Sequence, residues 1–164
     1  SLRLSNSFGY PINESINSWS LVINDLCKQA VYNNSMIINS NGLIIRDFIY
    51  YKNLANVIML IVDEEPQIKA QIINVSSGKS VTIIEAALII VDIMKMSYNK
   101  EIEVYINKKT KFLKLTNTEK EIIQDLKNKY CIKNNFLLEK GYVEKFNLRQ
   151  GIIELIKDIK IGKL

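Results

Sequence analysis

The stretch Gly42-Leu43-Ile44-Ile45-Arg46-Asp47-Phe48-Ile49-Tyr50, running on into Leu54-Ala55-Asn56-Val57-Ile58, decides how the rest of the chain is read. Leu43 to Tyr51 is dense in β-branched and aromatic residues and reads as a strand. Asn53 offers an N-cap for a helix through Val62, which Glu64-Glu65-Pro66 closes. Just upstream, Met36-Ile37-Ile38 is a short strand and Asn39-Ser40-Asn41-Gly42 a turn. Ser18 to Tyr32 is helical in period, with Leu21, Leu26, Ala30 and Val31 able to share a face. Ser1 to Ser5 alternates as a strand does and stops at the turn-rich Asn6-Ser7-Phe8-Gly9-Tyr10-Pro11.

Downstream, Gln71 to Val75 reads as a strand followed by the loop Ser76-Ser77-Gly78-Lys79. Capping-box spacing recurs at Thr82/Glu85, Thr116/Glu119 and Asn147/Gln150, where each pair can satisfy the other's backbone donors. These open helices to about Met96, to about Lys129, and through Ile152, Ile153, Ile156 and Ile159. The first of the three is apolar on most sides and should be buried. Glu101 to Ile106 alternates, with Ile102, Val104 and Ile106 on one face, and Phe112 to Leu115 is a further candidate strand. Short loops, no linker and no internal repeat make residues 1–164 one mixed α/β unit.

Composition narrows the function. Of 164 residues, 48% are hydrophobic and 24% charged, the balance of an ordinary globular domain. The longest apolar run, Ala86 to Val91, falls far short of the roughly 20 residues that cross a bilayer. Ser1 to Asn6 lacks the apolar core of a leader peptide. There is no histidine, and Cys27 and Cys131 lack metal-ligand neighbours, so neither a zinc site nor a His-assisted nucleophile is expected. The two thiols read as reduced, in a cytoplasmic setting.

The net charge is +5, and the only arginines are Arg3, Arg46 and Arg149. Lys108, Lys109, Lys111 and Lys114 form the densest basic cluster; it reads as a solvated loop, with an anion contact as the alternative. It lacks the interleaved aromatics of a nucleic-acid binder, so neither nucleic acid nor membrane is expected as a partner. The six glycines never approach G-x-G-x-x-G, and no P-loop is present. Tyr105 and Lys109 form a Y-x-x-x-K string, but Tyr105 ends a predicted strand rather than lying on a helix, so no catalytic residue is assigned.

Three segments, in order, carry a resemblance. They are Leu2-Arg3-Leu4-Ser5-Asn6-Ser7-Phe8-Gly9-Tyr10-Pro11, then Gly42 to Tyr50, then Ile73-Asn74-Val75-Ser76-Ser77-Gly78-Lys79-Ser80-Val81-Thr82-Ile83-Ile84-Glu85. A weaker fourth runs from Tyr130 to Tyr142. Together they resemble the carboxy-terminal part of the extended short-chain dehydrogenase/reductases, the NAD-dependent epimerases and dehydratases of sugar nucleotides. The resemblance implies two strands of a Rossmann sheet, Ser1 to Ser5 and Gln71 to Val75, plus the small α/β substrate-binding lobe. It also implies that the amino-terminal cofactor domain lies outside the chain. The parent would use NAD or NADP on a nucleotide-diphosphate sugar, in making sugars for surface polysaccharides, with no cofactor held by this chain alone. A non-catalytic binding or interaction module derived from that lobe is the alternative.

Residue by residue, Asn6 matches the family asparagine that meets the sugar nucleotide; an ordinary Asn closing a turn is the other reading. Arg46 matches the arginine that meets the diphosphate, for which a planar, permanently charged fork is suited. Asp47 is expected to orient it or to cap local backbone. Tyr10 and Pro11 match the loop near the nicotinamide, and equally fit plain turn chemistry. Ser20 falls where the family's helix start lines the nucleotide pocket, beside Leu21 and Val22, which are expected in the core. No arginine lies between Glu101 and Lys133, where relatives carry a second phosphate ligand; Lys108, Lys109 or Lys111 would stand in as point charges. Strands left without the cofactor domain's sheet would expose edges, so self-association is expected.

Overall fold

A computed structural model describes residues 1–13, 15–63, 72–108, 110–112 and 114–162. The polypeptide runs β1 (Leu2–Leu4), β2 (Asn6–Phe8), a 3₁₀ turn (Ser18–Ser20), α1 (Val22–Asn33), β3 (Ser35–Ile38), β4 (Ile45–Tyr50) and α2 (Tyr51–Asp63). It continues through β5 (Ile73–Val75), β6 (Ser80–Thr82), α3 (Ile83–Tyr98), β7 (Glu103–Ile106) and β8 (Thr110–Phe112). Three helices close it: α4 (Asn117–Lys129), α5 (Asn135–Glu139) and α6 (Leu148–Ile161). The expected mixed α/β class holds.

The strands form three small sheets: β1 parallel to β5; β4 between parallel β2 and antiparallel β6; β7 between parallel β3 and antiparallel β8. The segment expected to end its strand at Ser5 continues as β2, because Asn6, Ser7 and Phe8 find a second partner in Phe48, Ile49 and Tyr50. One extended stretch thus serves two sheets, with the Ser5 amide donating to the Val75 carbonyl at the changeover (2.9 Å). Helices α1, α3 and α6 pack together over β2, β3, β4 and β7 in one large core. A smaller core joins Ile49 and Val57 to Ile73, Val75, Leu137 and Tyr142.

All three capping boxes form, at Thr82/Glu85, Thr116/Glu119 and Asn147/Gln150. Other details differ from expectation. Asn53 does not cap α2, which starts at Tyr51; its buried amide bonds the Phe146 backbone in both directions, at 2.6 and 3.1 Å, and ties α2 to the segment before α6. The expected Ser18–Tyr32 helix splits: Leu21 is extended (ψ 133°) between the 3₁₀ turn and α1. Leu21 and Val22 are therefore exposed, at 42% and 43%, and not in the core. Val31 is only half-buried. The candidate strand at Phe112–Leu115 forms earlier, at Thr110–Phe112, and α5 was not anticipated. The helix stop at Glu64-Glu65-Pro66, the start of the strand at Gln71, and Lys109 lie outside the described residues.

Helix α6 approaches β2 and β4 closely at Gly151, where a Cβ would sit 2.7 Å from Phe8 Cζ and 2.9 Å from Tyr50 Cγ. Alanine normally favours a helix over glycine by up to about 1 kcal/mol, but overpacking costs about 1–3 kcal/mol. Gly151→Ala is expected to destabilise by about 1–2 kcal/mol, read from the urea midpoint; an unchanged or raised midpoint contradicts this close approach.

Candidate functional site

On β4, neighbouring side chains point to opposite faces. Asp47 turns inward, 3% exposed, and its carboxylate accepts from the Ser77 amide (2.9 Å), the Ser77 hydroxyl (2.9 Å) and the Lys79 amide (3.1 Å). Asp47 neither orients Arg46 nor caps its own stretch of backbone, as expected from sequence, but holds a loop 30 residues further along the chain. Arg46 turns outward. Its guanidinium donates to the Ile45 carbonyl (3.2 Å) and, among the described residues, pairs with no carboxylate.

Three cavities converge on Arg46. The first, about 350 Å³, lies beyond the carboxyl end of β3; Ser20, Val22, Asp25 and Leu26 face Ile37 to Ser40, with Ile44 and Ile83 at its floor. The second, about 560 Å³, is bounded by Asn6, Ile45, Asp47, Ser80 and Tyr130 to Ile132. The third, about 330 Å³, lies between Ser5–Phe8, Ser20–Ile23 and Phe48. Crevices at strand carboxyl ends are where open α/β sheets hold ligands.

Of the residues singled out from sequence, Asn6, Ser20 and Arg46 come together here. Asn6 lines two cavities and donates to the Asp47 carbonyl (3.1 Å), so the same amide that faces the cleft holds β2 to β4. Ser20 lines two, with its hydroxyl on the Asn17 carbonyl (3.2 Å). Tyr10 instead packs edge-on against Trp19, at 5.7 Å between centroids, and Pro11 lies half-buried beside it; neither lines these cavities. Lys108 sits left-handed (φ 59°) in the β7–β8 turn, exposed. That turn adjoins the end of β3, where the Asn107 amide donates to the Ile38 carbonyl (2.8 Å), but Lys108 does not reach the cavity wall.

Several lining residues escaped the sequence reading: Asp25, Ile37 to Ser40, Ser80 and Tyr130 to Ile132. The end of the Met36–Ile38 strand could have pointed to cavity one. The strap at 130–132 could not be foreseen, since it is placed by remote bonds: Ser76 Oγ to the Ile132 carbonyl (3.0 Å), Asn134 Nδ2 to the Ser76 carbonyl (3.0 Å), and Ser80 Oγ to the Tyr130 carbonyl.

The Tyr105 hydroxyl donates to Glu103 (2.5 Å), and that hydrogen bond raises its pKa. Cys27 is sealed in the core, where burial pushes its thiol up, while Cys131 is exposed. Among the described residues no group of acidic or sulfur side chains is arranged to hold a metal, and no helix is long and apolar enough to cross a membrane. Gly9 lies against the Tyr51 ring and Gly42 against Ile84.

No protein-family model and no curated protein matches the chain. Solved structures do. The UDP-N-acetylglucosamine 4-epimerase of Methanobrevibacter ruminantium M1 superposes with a TM-score of 0.68 at 22% identity, over 99% of this chain and 46% of its own. The fold is that of the epimerase and dehydratase lobe. The UDP-glucose 4-epimerase of Thermotoga maritima, solved with UDP-glucose, gives 0.66 at 16% identity over 98% and 45%. An NAD-dependent NDP-hexosamine 5,6-dehydratase of tunicamycin biosynthesis gives 0.66 at 14% over 99% and 46%. The chain thus spans less than half the length of these enzymes, and its small parallel and mixed sheets correspond to their carboxy-terminal lobe.

The Asp47 anchor can be broken alone. Asp47→Ala strands the Ser77 amide, while the Ser77 hydroxyl keeps the Lys79 carbonyl (3.2 Å) and the Lys79 amide keeps the Ser77 hydroxyl (3.1 Å), and it is expected to cost about 1–3 kcal/mol in urea unfolding. Ser77 and Lys79 amides should lose exchange protection ahead of the core; retained protection at both would argue against the anchor.

Proposed function

We propose that this chain is the nucleotide-sugar-binding part of an NAD(P)-dependent epimerase or dehydratase, acting in the cytoplasm on the sugars of a surface polysaccharide. The observation that carries the reading is the convergence of three cavities on an arginine that has no carboxylate partner among the described residues, next to Asn6, in the lobe fold of such enzymes. A diphosphate offers the paired oxygens that a guanidinium grips. The first cavity, with its aliphatic floor, suits the base; the second and third, meeting at Asn6, suit the sugar.

The NAD(P) of the parent would supply transient oxidation of the sugar by hydride transfer. This chain's part is to hold the diphosphate still, so that binding energy positions the sugar for chemistry elsewhere. The β1–β5 pair supports the companion proposal of self-association. Leu2 and Leu4 are exposed on β1, and a two-stranded parallel sheet is rarely left bare.

Calorimetric titration with UDP-, dTDP-, GDP- and CDP-hexoses tests the reading. At least one should bind saturably, and Arg46→Ala should weaken it about 10- to 100-fold, the worth of a charge-assisted bidentate contact. Arg46→Lys should recover little of this, because an ammonium cannot bridge two oxygens. Equal affinity in Arg46→Ala, or no binding of any of the four, sinks the proposal.

A further inference from the structure

Among the described residues, Asp25 is the one acidic side chain lining the first cavity. It stands in the first turn of α1, half-buried. Gln29, one turn on, donates from Nε2 to its Oδ2 (2.7 Å), while the Gln29 side-chain Oε1 accepts from the Ile37 amide on β3 (2.8 Å). The carboxylate is thereby held between α1 and the strand that forms the opposite wall. Its Oδ1 accepts no hydrogen bond among the described residues.

A carboxylate only accepts. A base lying on Leu26, Ile37, Ile38, Ile44 and Ile83 would therefore be sorted by the edge it turns toward Asp25. Guanine offers two adjacent donors, N1–H and the N2 amino group, which match two carboxylate oxygens. Uracil and thymine offer one N–H flanked by two carbonyls, so any approach sets oxygen against oxygen, and a desolvated acceptor left unpaired is costly. We infer that Asp25 selects the base, making the site a guanine reader rather than a uracil reader. This rests on the nucleotide-sugar reading of the Arg46 site. Asp25 has a structural use too, since an acid in the first turn suits the helix dipole, but that use is blind to which base is bound.

The test compares GDP-mannose with UDP-glucose, and GDP with UDP, on wild type and Asp25→Asn. The wild type should favour both guanine ligands by about 10- to 100-fold, the discrimination of one good bidentate contact. Asp25→Asn keeps the shape and an oxygen for Gln29 but presents an amide donor, so the preference should collapse or turn toward uracil. Thermal melts of both proteins show that the variant folds. Equal or better uracil binding by the wild type overturns the inference and leaves the Arg46 reading standing. A uniform loss across all four ligands in Asp25→Asn also overturns it, since Asp25 would then be reading the shared ribose. Absence of binding by every ligand removes the inference together with the site reading beneath it.

Discussion

The structure hangs on a carboxylate placed one residue from an arginine on a short strand. Asp47 reaches inward to three donors of the 77–79 loop, and that loop in turn carries β6 back against β4. Because strand neighbours alternate, fixing Asp47 inward leaves Arg46 no choice but the open side. The same loop region receives the 130–134 strap through Ser76, Ser80 and Asn134. The loop wall of the second cavity is thus held by the Asp47 carboxylate, and the strap wall by side chains flanking that loop. An ion pair between Arg46 and Asp47 would have satisfied both charges and left no site.

A second tie works from the other side of the cleft. Asn24, fully buried, accepts from the Gly9 amide (3.0 Å) and donates to the carbonyls of Gly9 (2.8 Å) and Ser18 (3.1 Å). It joins the end of β2 to the 3₁₀ turn that presents Ser20. Gly9 takes a φ of 148°, and its lack of a side chain lets the Tyr51 ring lie against it. The distance between Asn6 and Ser20, the two edges of the third cavity, is therefore set by a side chain that touches neither.

Local features were legible in the sequence because their causes are local. The capping boxes are bonds between residues three apart, and all three form. The Ile45–Tyr50 strand and the α3 helix declare themselves by composition and apolar density. Arg46 was legible because a rare arginine beside an aspartate sits in a motif. What misled was partnership at a distance. Asn6 to Phe8 reads as a turn by residue type and is a strand because β4 lies ready beside it. Asn53 reads as a cap and is a crosslink to Phe146, 93 residues away. Leu21 and Val22 fit a core stripe only if the helix begins at Ser18; an extended Leu21 turns them out to line the third cavity.

That last displacement bears on how the site is built. Two acids line the cavities, yet neither neutralises Arg46: Asp47 is engaged by backbone donors and Asp25 by Gln29. Each is held by a neutral partner that fixes its direction without quenching its charge. Arg46 is thereby left, among the described residues, without a carboxylate partner although two acids line the same cavities, which is the arrangement the proposed anion site rests on. The helix start at Val22 matters because it puts apolar side chains, not further acids, along the approach. Leu21 and Val22 line the third cavity with Arg46, and under the proposed reading their apolar surface would lower the local dielectric there and strengthen the hold on a phosphate. On that reading their exposure, unfavourable for folding by itself, serves the site.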